Sequence, residues 1–96
     1  MRVEELLSDK REDILRPATE HGAGNVRVFG SAAREQAGED SDIDLLVDFE
    51  PGRSLLDHAA LLADLEELFG RRVDVVTERS LYWLLRRRIL KEAVPL

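Results

Sequence analysis

The stretch Ile43-Asp44-Leu45-Leu46-Val47-Asp48-Phe49 constrains the fold more than any other part of the chain. It is short, rich in branched apolar residues, and apolar enough over its middle to be covered on both sides of a sheet. Two further segments have the same character. Val26-Arg27-Val28-Phe29 alternates apolar and polar positions, and Val73-Asp74-Val75-Val76-Thr77 is β-branched almost throughout. Between and around these strands lie helical patterns. Ser8 is placed to cap a helix from Asp9 to His21, with Leu7 as a staple, Gly22 as its stop and Pro17 as a kink or division point. Gly22, Gly24 and Asn25 read as a turn. Ala32 to Ala37 suggests one or two helical turns, and Gly38 to Ser41 a polar loop. Ser54 with Asp57 forms a capping pair for a helix from Leu55 to Phe69, stopped by Gly70. Ser80 is placed to cap a last helix reaching Ala93. This order predicts an α/β (α+β) fold, a small mixed sheet of three or more strands covered by helices. No linker or repeat interrupts it, so residues 1–96 read as a single domain.

Side chains two residues apart on a strand share a face, so Asp42 and Asp44 project together where the polar loop enters the strand. Adjacent carboxylates repel unless a cation or proton lies between them. Hard divalent ions such as Mg²⁺ take oxygen ligands and bridge carboxylates to phosphates. The chain has no cysteine, which excludes thiolate sites and leaves oxygen and two histidines, His21 and His58, as ligands. An Asp-x-Asp pair alone is a weak signal, because acidic residues at a strand entrance are usually solvated. Asp74 strengthens it, since a carboxylate in an otherwise apolar strand calls for pairing or coordination. Gly30-Ser31 adds a second element. It ends a strand and opens a short helix, where free N–H groups favour phosphate oxygens, and glycine permits close backbone approach. Arg34 is either a bidentate phosphate ligand or a surface residue of that helix.

Phe29-Gly30-Ser31-Ala32-Ala33-Arg34 followed by Asp40-Ser41-Asp42-Ile43-Asp44-Leu45-Leu46-Val47 resembles the signature of the DNA polymerase β-type nucleotidyltransferase superfamily. The chain is similar in particular to its minimal members, the MNT antitoxins paired with HEPN toxins, from about Asp9 onward. The resemblance implies the nucleotidyltransferase fold and a Mg²⁺-dependent transfer of AMP from ATP to a protein hydroxyl, a tyrosine of a cognate HEPN toxin, that silences the toxin. It implies that Gly30, Ser31 and Arg34 hold the triphosphate. Asp42, Asp44 and Asp74 would be both catalytic residues and ligands of two Mg²⁺ ions, Asp74 also helping to deprotonate the attacking hydroxyl. Two positions depart from the family pattern: Ala32 replaces a basic or bulky residue, and Glu35 replaces a glycine. Two other functions stay open. One is a module that neutralises a toxin by contact alone; the other is transfer to a small molecule, for which the chain has little room.

Charge narrows the partners. The net charge is -6, which argues against stable nucleic-acid binding and against a template-directed polymerase. Residues 35 to 67 carry eleven acidic residues against Arg53 alone, whereas residues 71 to 91 carry seven bases against Asp74 and Glu78. Tyr82 and Trp83, beside Arg86, Arg87, Arg88 and Lys91, are readable as core residues or as an anchor for another protein. The thin core favours a homo- or hetero-oligomer. No membrane span or signal core is present, which predicts a cytoplasmic protein.

Overall fold

The computed structural model describes residues 7–30 and 42–96. After a helical turn at residues 7–9 come α1 (Arg11–Glu20), β1 (Ala23–Phe29), β2 (Ile43–Phe49), α2 (Leu55–Phe69), β3 (Val73–Val76), a 3-10 turn (Glu78–Ser80), α3 (Trp83–Glu92) and β4 (Val94–Pro95). The sheet has four strands in the order β3-β2-β1-β4. β1 pairs antiparallel with both β2 and β4, and β2 pairs parallel with β3. The mixed α/β architecture is the predicted one, with a fourth strand added.

The core lies on one side of this sheet. Ile43, Leu45 and Val47 of β2, Val26 and Val28 of β1, and Val73 and Val75 of β3 join Ile14 and Ala18 of α1 and Leu61 and Leu65 of α2. α2 follows the sequence prediction residue for residue. The Ser54 hydroxyl accepts from the Leu56 N–H at 3.2 Å while the Asp57 carboxylate accepts from the Ser54 N–H at 3.0 Å, which satisfies two of the donors that a helix start leaves free. That second bond is the first cause holding the Asp57 carboxyl below its ordinary value. Gly70 ends the helix in the left-handed region at φ 64°, its N–H bonded to the Glu66 carbonyl at 2.8 Å.

Several boundaries differ from the prediction. Ser8 does not cap the first helix: it lies inside the preceding helical turn, and Lys10 occupies the cap position of α1 without a side-chain bond. The chain divides there, and α1 runs on through Pro17. β1 starts at Ala23, not Val26; the glycine and asparagine that read as a turn lie in the strand, where the register shifts between Gly24 and Arg27 and Asn25 takes φ 48°. This is the irregularity that glycine and asparagine tolerate. Ser80 caps no α-helix. Its hydroxyl accepts from the Thr77 N–H at 3.0 Å and closes the 3-10 turn, leaving Tyr82 at the start of α3 with no side-chain cap. The helix predicted at residues 32–37 and the loop at 38–41 lie outside the described residues. No helix among the described residues is long and apolar enough to cross a membrane.

Candidate active site

Alternation along β2 turns Asp44 and Asp48 away from the helix-covered core. Leu46 stands between them, sealed from solvent on the same face. Opposite Leu46 in register is Arg27, whose side chain is only 12% exposed and reaches Asp48 at 3.2 Å and Glu78 at 3.5 Å. The face therefore has a buried middle roofed by an arginine stem, and acidic positions around it.

The parallel register of β2 and β3 sets Asp44 directly beside Asp74. Their carboxyls are within hydrogen-bonding reach, and Asp44 is the more enclosed of the two. Burial, then the negative charges of Asp74 and Asp42, push the Asp44 carboxyl up from 3.8 to about 6. Asp42, exposed, lies one residue before β2 and adds charge from the strand entrance. The third element is Gly30. It ends β1 at φ 70°, and a Cβ built on it would come within 2.5 Å of the Asp44 Oδ2. Both the backbone conformation and the lack of space exclude a side chain there. The atom that lies close to Gly30 is the Asp44 carboxylate oxygen. Ser31 and Arg34, the other two expected nucleotide ligands, lie outside the described residues, as do Ala32 and Glu35.

Among the described residues no three histidine, cysteine or acidic side chains form a ready-made metal cluster. What the structure does contain is an Asp44–Asp74 pair with a third negative charge near it. Such a pair needs a proton or a cation between its oxygens, and its all-oxygen donor set suits a hard divalent ion. The residues present fit Mg²⁺ in chemistry. The two histidines belong elsewhere. His21 Nε2 meets the Asp64 carboxylate at 2.9 Å, tying α1 to α2, and His58 Nε2 lies 2.7 Å from the Val75 carbonyl with its ring against Phe49. Neither Arg27 nor Asp48 has a role in the sequence analysis, and Asp48 is exposed. The available signal was a cation at the polar parity of an alternating strand, opposite a partner acid.

A cleft of about 540 Å³ among the described residues lies away from the carboxylates. It lies at the far ends of β2 and β3, between the 48–53 and 77–79 connections. The raised Asp44 carboxyl beside the Gly30 backbone makes the acidic end the candidate site.

Comparisons with known proteins agree with this geometry. The family model described as nucleotidyltransferase domain matches residues 9–96. A Methanocaldococcus jannaschii protein described as a candidate protein adenylyltransferase is 44% identical over 88 residues, covering 92% of this chain and 95% of that protein. The protein adenylyltransferase MntA of Thermococcus cleftensis is 39% identical over 92 residues, covering 96% of this chain and 90% of MntA. A solved structure described as a candidate minimal nucleotidyltransferase superposes with a TM-score of 0.87 at 56% identity, covering 100% of this chain and 97% of the other. A toxin–antitoxin crystal structure with AMP-PNP has the same fold, with a TM-score of 0.73 at 20% identity over 88% of this chain and 69% of that chain. The family match over residues 9–96, with relatives 44% and 39% identical along nearly the whole chain, makes this chain a member of the nucleotidyltransferase domain family and an enzyme of that type.

Proposed function

We propose that the chain is a Mg²⁺-dependent protein adenylyltransferase that acts as an antitoxin, moving AMP from ATP to a hydroxyl of a toxin, a tyrosine of a HEPN-type partner. The observation that carries this reading is the Asp44–Asp74 pair, pressed against Gly30 and charged further by Asp42. The adenylyltransferase relatives supply the group transferred and the class of acceptor.

Asp42, Asp44 and Asp74 would hold Mg²⁺, which when bound supplies charge neutralisation at the attacking and leaving oxygens. Gly30 keeps the end of β1 free of side-chain bulk, and Gly30 and Ser31, with Arg34, would bind phosphate oxygens of the triphosphate. Asp74, the more open of the pair, faces the acceptor and takes the hydroxyl proton as its oxygen attacks the α-phosphorus. A new oxygen–phosphorus bond forms to the acceptor, the bond between the α-phosphorus and the bridging oxygen breaks, and pyrophosphate leaves. Asp44 is held by the ladder on both sides, against β1 and β3, so its oxygens stay in one place throughout.

The competing reading is neutralisation by contact alone, with the nucleotide site weakened by Ala32 and Glu35. The two separate in one experiment. A HEPN-type protein offered as partner is incubated with the chain, ATP and Mg²⁺, and its intact mass is recorded. A gain of one or more AMP units that is lost in Asp44→Ala and Asp74→Ala supports transfer. Neutralisation with no mass change, equally strong in both variants, overturns it.

A further inference from the structure

A basic lead carries the chain into β3. Gly70 ends α2, and Arg71 and Arg72 follow it. The Arg72 carbonyl already belongs to the ladder, accepting from the Ile43 N–H at 3.1 Å. Ile43 stands beside Val73 in the parallel register, which sets Arg72 beside Asp42 one step earlier. Exposure alternates from there: Arg72 and Asp74 are exposed, Val73 and Val75 buried. Arg72 therefore projects on the same face as Asp74, roughly 6.6 Å along the strand from it.

Other arginines of the fold are engaged: Arg27 by Asp48 and Glu78, Arg53 by Glu50 and Asp57. Arg72 forms no ion pair among the described residues, although Asp42 and Asp74 stand near it. The physical reason is exposure. A solvated pair gains no more than about 1 kcal/mol, which holding a long side chain in one geometry offsets. The guanidinium is left in water, at the rim of an acidic site. Its place in the sheet limits what it can meet there. The strand order sets Asp44 in the middle, with Gly30 on the β1 side and Asp74 and Arg72 on the β3 side. Two strand spacings, roughly 10 Å, separate Arg72 from β1. β3 is an edge strand of the described sheet. With the triphosphate toward Gly30, the acceptor comes in over β3.

We propose that Arg72 docks the acceptor: its guanidinium pairs with a carboxylate of the acceptor protein beside the reacting hydroxyl and brings that hydroxyl to Asp74. The proposal rests on the AMP-transfer reading and adds to it what selects the acceptor. Three acids at one strand end repel negative charge, so an acidic acceptor segment is admitted only where a cation offsets them. An arginine suits that place, because its planar fork takes both oxygens of one carboxylate and so fixes a direction of approach as well as a charge.

The test uses the full chain with ATP, Mg²⁺ and a HEPN-type acceptor. Arg72→Ala should raise the acceptor KM about tenfold, with kcat changed by no more than about twofold. Arg72→Lys should recover part of that loss and Arg72→Glu should deepen it, all with unchanged far-ultraviolet circular dichroism. A second readout needs no turnover. With α,β-methylene-ATP, which cannot release pyrophosphate, the acceptor should bind Arg72→Ala about tenfold more weakly than wild type. Affinity for the analogue itself should not change. Salt should weaken acceptor binding more in wild type than in Arg72→Ala. An acceptor affinity that all three substitutions leave intact overturns the proposal. So does a loss of analogue affinity, which assigns Arg72 to the triphosphate, or a fall in kcat alone, which marks a disturbance of Asp74. A wild-type chain that transfers no AMP sinks the adenylyltransferase reading and this inference with it, a result distinct from all the others.

Discussion

In β2, Ile43, Leu45 and Val47 lie against α1 and α2 with at most 1% of their surface exposed, while Asp44 and Asp48, interleaved with them, face the other way. The two faces of one strand are under opposite demands. On the helix side every position stabilises the fold by leaving water, worth about 1.5–3 kcal/mol for each large aliphatic side chain. On the other side Asp44 is held in surroundings that resist its charge. The difference shows where the molecule gives up stability. Its costs are concentrated on the face where the reaction is proposed, and the adjacent residues behind that face offset them.

The comparison breaks most directly at Asp44 itself. Asp44→Ala should lower the rate of AMP transfer by about a thousandfold, roughly 4 kcal/mol of lost transition-state stabilisation, measured as AMP incorporated into the partner over time. The fold should remain intact by circular dichroism. A variant that keeps a tenth of the wild-type rate would mean that the polar face is not the reacting one. One position along, Leu45→Ala should do the reverse, costing about 2–5 kcal/mol of stability in urea unfolding by emptying a fully buried site. Its transfer rate below the transition should stay near wild type.

Gly30→Ala sits where the two demands meet. A left-handed φ costs a non-glycine residue about 1 kcal/mol, and the Cβ contact with Asp44 adds to it. A total near 2 kcal/mol is expected, together with a loss of activity, since the collision is relieved by moving the carboxylate. An alanine variant with full stability and full activity would show that the β1 end does not bear on Asp44.

The smallest effect carries the sharpest sign. The folded Asp44 carboxyl is raised from 3.8 to about 6, so the stability it contributes is complete below pH 4 and is lost as the pH rises through 6. Without divalent ions, Asp44→Asn should therefore be more stable than wild type at pH 7.5, by about 1–2 kcal/mol after allowance for partial exposure. That advantage should vanish near pH 4. Thermal melts of both proteins in chelator at the two pH values decide it, and an advantage that grows toward acid would refute the assignment.

How much of this was legible in the sequence depended on whether the signal was local. α2 could be read to its first and last residue, because Ser54, Asp57 and Gly70 act through bonds to their own neighbours. β2 and β3 could be read because a run of branched apolar residues has no other compact use. β4 was not legible. Val94 and Pro95 form a strand only because β1 lies beside them, and a pair of residues has no period. The first half of β1 failed for a related reason. Gly24 and Asn25 signal a turn locally, and pairing with Asp48 and Phe49 overrides that preference. At the site, the alternation of β2 and the lone acid of β3 marked Asp44 and Asp74 as candidates, while their standing side by side depends on the β2–β3 register, which is not a local signal. The pressure of Gly30 on Asp44 was foreseen only as freedom of approach, since register decides which atom occupies the space.

The parallel ladder between β2 and β3 also has a bearing on when the protein begins to work. Residue 44 acquires its neighbour only after the chain has made α2, turned at Gly70 and laid residue 74 alongside. Until that closure no fragment holds two acids against one glycine, however well its first strands have formed. The proposed site is therefore incomplete in any partly made chain that stops short of residue 74.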